Sequence, residues 1–179
     1  MKVIGDRVSI LEKDDVFSLV ILPTTDKKKL ALMFFWLLAW SVCGVIVFVN
    51  LFKIQGRDAK LFIIVYLTFW FYYEFKIARA FIWKRFGKEK LWIKKGILYY
   101  QREVQSRGKI QEYNLDLVSD LKLSETGTGF AESLSNSFWV KGNERIEFQS
   151  QSKTVRFGLQ LSDEEAEKIL KEIRKFLKK

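Results

Sequence analysis

Five basic residues in the middle of this sequence could bind a phosphate group: Lys94, Lys95, Arg102, Arg107 and Lys109. Two of them precede Gly96 and two flank Gly108, which places each pair at the tip of a predicted β-hairpin. At such a tip, cationic side chains and backbone N–H groups reach a phosphate together. The residues therefore predict a lipid or phosphate site. The alternative is a pair of solvated turns that are attracted only generally to an anionic surface.

Glu74 is the second candidate, because it is a carboxylate within a largely apolar segment. It could lie just below a membrane interface, protonated or beside a basic side chain, or it could face a partner helix as an intramembrane polar site. Arg79 lies about 140° from it around a helix, so the two do not form a simple pair. In the preceding segment, Trp36, Trp40 and Gly44 share one helical stripe that is suited to helix packing.

Several classes of catalytic and metal site are excluded by composition. The sequence has no histidine and a single cysteine, Cys43, so it cannot form an internal disulfide, a His/Cys metal cluster or a Ser/His/Asp triad. A Ser/Lys dyad or a carboxylate pair is compatible with the composition, but no spacing or glycine context indicates one. We therefore expect a protein that is not an enzyme and that has no metal and no cofactor.

The candidate residues are positioned by two apolar segments, 30–52 and 61–83, joined by a short polar loop. The first segment has no charged residue, and as a helix it would be about 34 Å long, enough to cross a hydrocarbon core of about 30 Å. The second carries Lys76 and Arg79 near its end, where they could reach the headgroups. The pattern predicts a transmembrane helical hairpin over residues 30–83.

The basic residues predict how this hairpin is oriented. Nine lysines and arginines flank its outer ends, three at residues 27–29 and six at residues 84–95, whereas the connecting loop has three. By the positive-inside rule both termini face the cytoplasm. A cleaved signal peptide is not expected, because the apolar stretch starts only after 29 mostly polar residues. Topology alone also accounts for the basic excess directly after the hairpin, and no binding motif accompanies it, so nucleic-acid binding is not indicated.

Outside the hairpin the periodicity is that of a small β-rich domain. Residues 7–11 and 16–22 read as two N-terminal strands that would pack on the domain at 84–179. That domain shows seven short strands, at 90–95, 97–103, 109–114, 119–125, 137–141, 145–149 and 154–158. A loop before the fifth strand exposes Phe130 as a further candidate contact.

The chain ends in a predicted amphipathic helix. Ser162 and Glu165 have the spacing of a capping box, and apolar residues recur on one face from Ala166 to Leu177. We expect this helix to close one end of the sheet. Binding flat on a membrane surface is the alternative.

The order of seven antiparallel strands and one helix resembles that of a pleckstrin-homology-like (PH-like) domain. Residues 87–91 (GKEKL), 157–158 (FG) and 161–166 (LSDEEA) resemble uncharacterised bacterial membrane proteins that have a two-helix hairpin and a C-terminal PH-like domain. The architecture is also distantly similar to that of photosystem I assembly proteins. The resemblance implies a bacterial inner membrane protein but identifies no binding residue.

Two functions fit this sequence. The first is a non-catalytic binding or assembly module, in which the hairpin anchors the PH-like domain at the cytoplasmic face to hold a protein partner or an anionic lipid. The second is a structural accessory subunit of a larger integral membrane complex, with Glu74 and the aromatic second span against other helices. A transient assembly partner should survive Glu74→Leu, whereas a fixed subunit should lose association.

Overall fold

The computed structural model of the chain describes residues 2–23, 26–124, 144–151 and 153–178. The chain forms two compact units, one of residues 1–25 with 83–179 and the other of residues 26–82. It therefore leaves the first unit after the N-terminal strands and returns to it after the apolar segments.

Two long apolar helices cover the predicted segments with small differences at their ends: both begin earlier, the first ends one residue earlier and the second ends three residues later. α1 (Lys27–Leu51) starts after Asp26, whose carboxylate accepts a hydrogen bond from the Lys29 N–H at 3.1 Å as an N-cap. α2 (Arg57–Phe86) continues past residue 83, because helical hydrogen bonding does not stop where the apolar run stops. Both are long and apolar enough to cross a membrane. This confirms the prediction of two long apolar helices and indicates membrane association.

The two helices run antiparallel within their unit. The Ser41 hydroxyl contacts Glu74, and three residues further along α1 Gly44 contacts Trp70, four residues earlier on α2. A Cβ atom at residue 44 would lie 2.0 Å from the Trp70 ring, so only glycine permits this approach. The small residue predicted to bring helices together therefore does so inside the hairpin.

The first unit is built on two antiparallel sheets. The three-stranded sheet has the order β7 (Val118–Leu123), β8 (Glu144–Ser150) and β9 (Lys153–Leu159), and a short 3-10 helix (Leu115–Leu117) precedes it. The strands of the six-stranded sheet are, in order, β1 (Lys2–Ile4), β2 (Val8–Lys13), β3 (Val16–Ile21), β4 (Gly87–Lys94), β5 (Ile97–Val104) and β6 (Ile110–Asn114).

The described strands are antiparallel, as predicted, but they differ from the prediction in number and in how they group into sheets. The coarse prediction of two helices, an antiparallel β-domain and a C-terminal helix is confirmed. Six strands are described after α2, and the predicted strand at 137–141, like Phe130, lies outside the described residues. The described strands form two sheets and not one, and β1 is a further strand that the sequence pattern did not predict, since three residues are too few to show alternation.

The N-terminal strands belong to the same sheet as the strands after the hairpin. β3 pairs with β4 over six residues, from Val16 opposite Lys94 to Ile21 opposite Glu89. The chain leaves β3 toward α1 and returns from α2 into β4, which starts directly after Phe86. Both connections therefore lie at one end of the sheet, here named the anchored end. The opposite end, with the β4–β5 turn after Lys94, is named the distal end.

The core lies between the sheets and α3 (Asp163–Leu177). The largest fully buried side chains include Phe17, Phe148 and Phe157, and α3 adds Ile169 and Ile173 from its apolar face. The predicted capping box is present. The Glu165 N–H donates to the Ser162 hydroxyl at 3.2 Å, and the Ser162 N–H donates to the Glu165 carboxylate at 2.9 Å. Apolar periodicity and the cap together place this helix, as the sequence predicts.

Candidate functional site

The basic residues predicted to hold phosphate lie at two separate places. Lys94 and Lys95 are exposed at the distal end of the sheet. Arg107 and Lys109 are exposed at the anchored end, in the β5–β6 turn, where the Gln105 N–H donates to the Phe86 carbonyl at 3.4 Å. β5 separates the two turns by about 23 Å at 3.3 Å per residue. The two pairs therefore cannot form one site.

Arg102 is not at a turn but within β5, and its charge is compensated inside the domain. Its guanidinium donates to Glu89 at 3.0 Å, to Glu144 at 2.7 Å and to the Arg156 carbonyl at 3.1 Å. Arg102 and Lys109 both line a groove of about 1090 Å³ beside β6 and β9. Because two carboxylates already bind the guanidinium, Arg102 contributes little attraction for an anionic ligand in that groove.

A buried carboxylate that sequence reasoning missed joins the two sheets. Glu89, on β4, is only 2% exposed. It accepts hydrogen bonds from the Tyr100 hydroxyl at 2.7 Å and from Arg102, and from the backbone N–H groups of Gly158 and Leu159 on β9 at 2.8 and 2.9 Å. The Gly158 backbone has φ of +78°, a left-handed conformation that directs its N–H at Glu89 and that glycine adopts without the steric cost of a side chain. Four donors offset the cost of burying the charge.

The alternation of apolar and polar residues along β4 indicates that Glu89 faces the core. It lies in phase with Leu91 and Ile93, which face the core, while Lys88 and Lys90 face the other side. A charged residue on the apolar phase of a strand predicts a buried polar contact. The sequence pattern was therefore sufficient to locate this residue but not its partners on β9.

The groups around Glu89 have shifted pKa values that keep the network intact. Burial raises the pKa of the Tyr100 hydroxyl, and the neighbouring Glu89 carboxylate raises it further, so Tyr100 remains a donor. Burial lowers the pKa of the Arg102 guanidinium, but the oxygens of Tyr100, Glu89 and Glu144 outweigh this and raise it. Arg102 thus stays charged beside Glu89.

Other ion pairs neutralise part of the basic excess that follows α2. Glu103 lies between Lys90 and Lys88, and these two ammonium groups lower the pKa of its carboxyl. On α3, burial raises the pKa of Glu165, but its bonds to Arg7, 3.1 Å away, and to the Ser162 backbone lower it overall. Arg85 and the β5–β6 turn remain as exposed basic groups at the anchored end.

Within the hairpin, Glu74 contacts a hydroxyl and not a basic side chain. The Ser41 hydroxyl donates to its Oε1 atom at 2.5 Å. Ser41 is the middle residue of the uncharged stretch 30–52, about 16 Å from either end of that stretch. The carboxylate therefore lies opposite the centre of the apolar segment of α1.

The other predicted hairpin residues lie on the same two helices. The rings of Trp36 and Trp40 stack with their centroids 5.1 Å apart, and Arg79 is exposed. In the part of the chain that the structure describes, three buried polar atoms have no hydrogen-bond partner: Trp40 Nε1, Trp70 Nε1 and Glu74 Oε2. Unpaired polar atoms are costly in an apolar surrounding, which makes this cluster a candidate intramembrane site.

Replacing Glu89 by alanine should lower the free energy of unfolding by about 3–5 kcal/mol, because it leaves two buried N–H groups without their acceptor and removes one of the two carboxylates that compensate the Arg102 charge. Urea unfolding of the full-length protein in detergent, followed by near-ultraviolet circular dichroism, measures the loss. Glu112→Ala is the control, since Glu112 is exposed on β6, and it should change the value by no more than about 0.5 kcal/mol. Equal effects of the two substitutions would contradict the assigned role of Glu89.

Comparison of the chain with protein-family models, with curated proteins and with solved structures finds no significant match. No family is therefore assigned on these grounds. The function of the chain has to follow from its own geometry, charges and topology.

Proposed function

We propose that the chain is a non-catalytic, membrane-anchored PH-like module that holds a protein partner or an anionic lipid at the cytoplasmic face of a bacterial inner membrane. The observation that supports this most strongly is the pairing of β3 with β4. The hairpin is an insertion between two hydrogen-bonded neighbours of one sheet. The hairpin serves as an anchor, and the domain supplies the binding surface.

This pairing favours a two-pass topology with both termini on one side. β1 to β3 precede the hairpin and β4 to β6 follow it, yet they form one sheet. A chain whose helices cross a membrane can build such a sheet only if both outer ends of the hairpin lie on the same side. The distribution of basic residues, nine directly flanking the outer ends of the hairpin and three in its loop, favours the cytoplasm as that side.

Two features favour a PH-like binding domain over a catalytic one. The strands are antiparallel, and the C-terminal helix packs on the core as in that architecture. The sequence has no histidine, and its single cysteine lies in α1, which leaves few groups for nucleophilic or acid–base chemistry. Tethering also raises the effective concentration of a partner in the same membrane to about the millimolar range, so a modest affinity suffices.

The second candidate is a structural accessory subunit of a larger membrane complex. The Ser41–Glu74 pair and the three unpaired polar atoms in the hairpin favour it, because polar groups at that depth often mark contacts between helices. In that case the hairpin and not the domain would hold the partner.

Pull-down of the full-length protein from its own membranes in mild detergent distinguishes the two functions. For an anchored module, Glu74→Leu should leave the recovered partners unchanged, because the partners contact the domain. Mass spectrometry with stoichiometry measures them. Partners at a fixed ratio that are lost with Glu74→Leu would contradict the module and support the subunit.

Retention of anionic lipid tests the lipid side of the proposal. Arg107→Gln with Lys109→Gln should weaken the binding of phosphatidylglycerol to the purified protein by about thirtyfold, because each of the two basic residues near an anionic leaflet contributes about 1 kcal/mol. Native mass spectrometry measures the retained lipid. The matched control is Lys94→Gln with Lys95→Gln, which removes the same charge at the distal end. Equal losses in both variants would rule out a specific site at the β5–β6 turn.

A further inference from the structure

A second groove, lined by β7 and α3, has a strongly unequal charge. Its volume is about 790 Å³. Leu123 is half-buried at its surface and Leu170 is buried beneath it, and Glu167 is the one acidic residue among its described lining residues. The basic residues that line it are Lys122, Lys171, Arg174, Lys175 and Lys178. Lys122 pairs with Glu147 at 3.7 Å, and the other four cations still outnumber the one carboxylate, which suits an anionic, partly apolar ligand.

The imbalance arises because the other carboxylates of α3 are bound elsewhere. Along the sequence the helix looks balanced, with acidic and basic residues in nearly equal number. In the structure each of four carboxylates has an ion-pair partner that does not line the groove. The pairs are Asp163 with Arg145 at 3.5 Å, Glu164 with Lys168 at 2.6 Å, Glu165 with Arg7 at 3.1 Å, and Glu172 with Lys2.

The cations along α3 are arranged in a row. Lys171, Lys175 and Lys178 are exposed and have no ion pair among the residues that the structure describes. Their spacing of four and three residues puts them on one helix face over about 10 Å. Arg174, beside them, donates to the Leu121 carbonyl at 2.7 Å. A row of this length matches carboxylates spaced along a peptide better than it matches one phosphate, which needs converging donors.

Strand addition is not the mode of binding that this groove favours. β7 has a register irregularity between Ser119 and Lys122, and Asp120 within it has φ of +51°. The Arg174 guanidinium also donates a hydrogen bond to the Leu121 carbonyl of this strand. Bulges and blocked carbonyls interrupt an edge for a pairing strand. Recognition in the groove is therefore by side chains.

The row of lysines lies toward the distal end of the sheet. α3 begins at the anchored end, where Glu165 bonds Arg7, which precedes β2. It ends near the distal end, where the Phe176 ring lies 5.4 Å from that of Phe17, the residue opposite Ile93. The row of lysines follows the second half of the helix. The sheet connects to both membrane helices at its other end.

We propose that this groove binds an acidic segment of a cytoplasmic protein partner, with carboxylates at helical spacing and an apolar side chain between them. The proposal rests on the assignment of the chain as an anchored binding module and names the partner chemistry of that module. Charge complementarity selects acidic residues, the half-buried Leu123 selects a flanking apolar side chain, and the spacing of the lysines along the helix selects a peptide over a single phosphate headgroup.

The test uses the full-length protein in nanodiscs of phosphatidylcholine and a fluorescein-labelled peptide in which Glu and Leu recur at helical spacing. Fluorescence anisotropy measures its dissociation constant. The combined variant Lys171→Gln, Lys175→Gln and Lys178→Gln should bind about tenfold more weakly, because each exposed pair contributes a few tenths to about 1 kcal/mol. The matched control removes three exposed charges at the distal end, with Lys13→Gln, Lys94→Gln and Lys95→Gln, and should change binding less than about twofold.

Two results would overturn the groove assignment. One is equal binding of the peptide to the groove variant and the control variant. The other is preferential binding of added phosphatidylglycerol vesicles that is lost in the groove variant, which would make the ligand a lipid. If the pull-down still recovers partners that depend on the domain, either result rejects the groove as the binding site but leaves the proposal of an anchored module intact. Partners that are lost with Glu74→Leu would instead contradict the anchored module itself.

Discussion

The buried carboxylate of Glu89 fixes how the two sheets meet. A carboxylate inside a protein is tolerated only if donors replace its water, and here two donors come from β5 and two from β9. The N–H groups of Gly158 and Leu159 have to approach β4 for this to happen. The three-stranded sheet is thereby held against β4, the strand that follows α2.

The position of α3, and with it the basic groove, depends on this junction. β9 ends at Leu159 and α3 begins at Asp163, so the register of β9 sets where the helix starts. Arg7 then binds Glu165 and the Gln160 carbonyl, which holds the helix to the loop before β2. The pairing with Arg7 also holds the Glu165 carboxylate outside the groove. The charge of the binding surface is thus a consequence of the ion pairs that hold the fold together.

Local periodicity was enough to predict the parts of the fold that depend on neighbours in sequence. The two apolar helices and the capped amphipathic helix follow from runs and spacings within about 25 residues. The opposite positions of Lys95 and Arg107 also follow from hairpin geometry, since consecutive turns lie at opposite ends of the strand between them. The position of Glu74 opposite Ser41 was not predictable from α2 alone, because it depends on how the two helices align.

What the sequence could not show is contact between distant segments. Arg102 read as a free cation at a binding site, yet Glu89 and Glu144 neutralise it from other strands. The charges of α3 read as balanced because their partners Lys2 and Arg7 are more than 150 residues away. Charge at a surface is set by tertiary pairing, and composition along one helix does not report it.

The side of the membrane on which the β-domain lies tests the account most directly. Single cysteines can be placed at Gln55, in the loop between α1 and α2, and at Lys95, at the distal turn, with Cys43 replaced by serine. A membrane-impermeant thiol reagent applied to intact cells should label residue 55, and it should label residue 95 only after the membrane is opened. Labelling of residue 95 in intact cells would contradict a cytoplasmic module anchored by a two-helix hairpin, and so would protection of both residues from the outside.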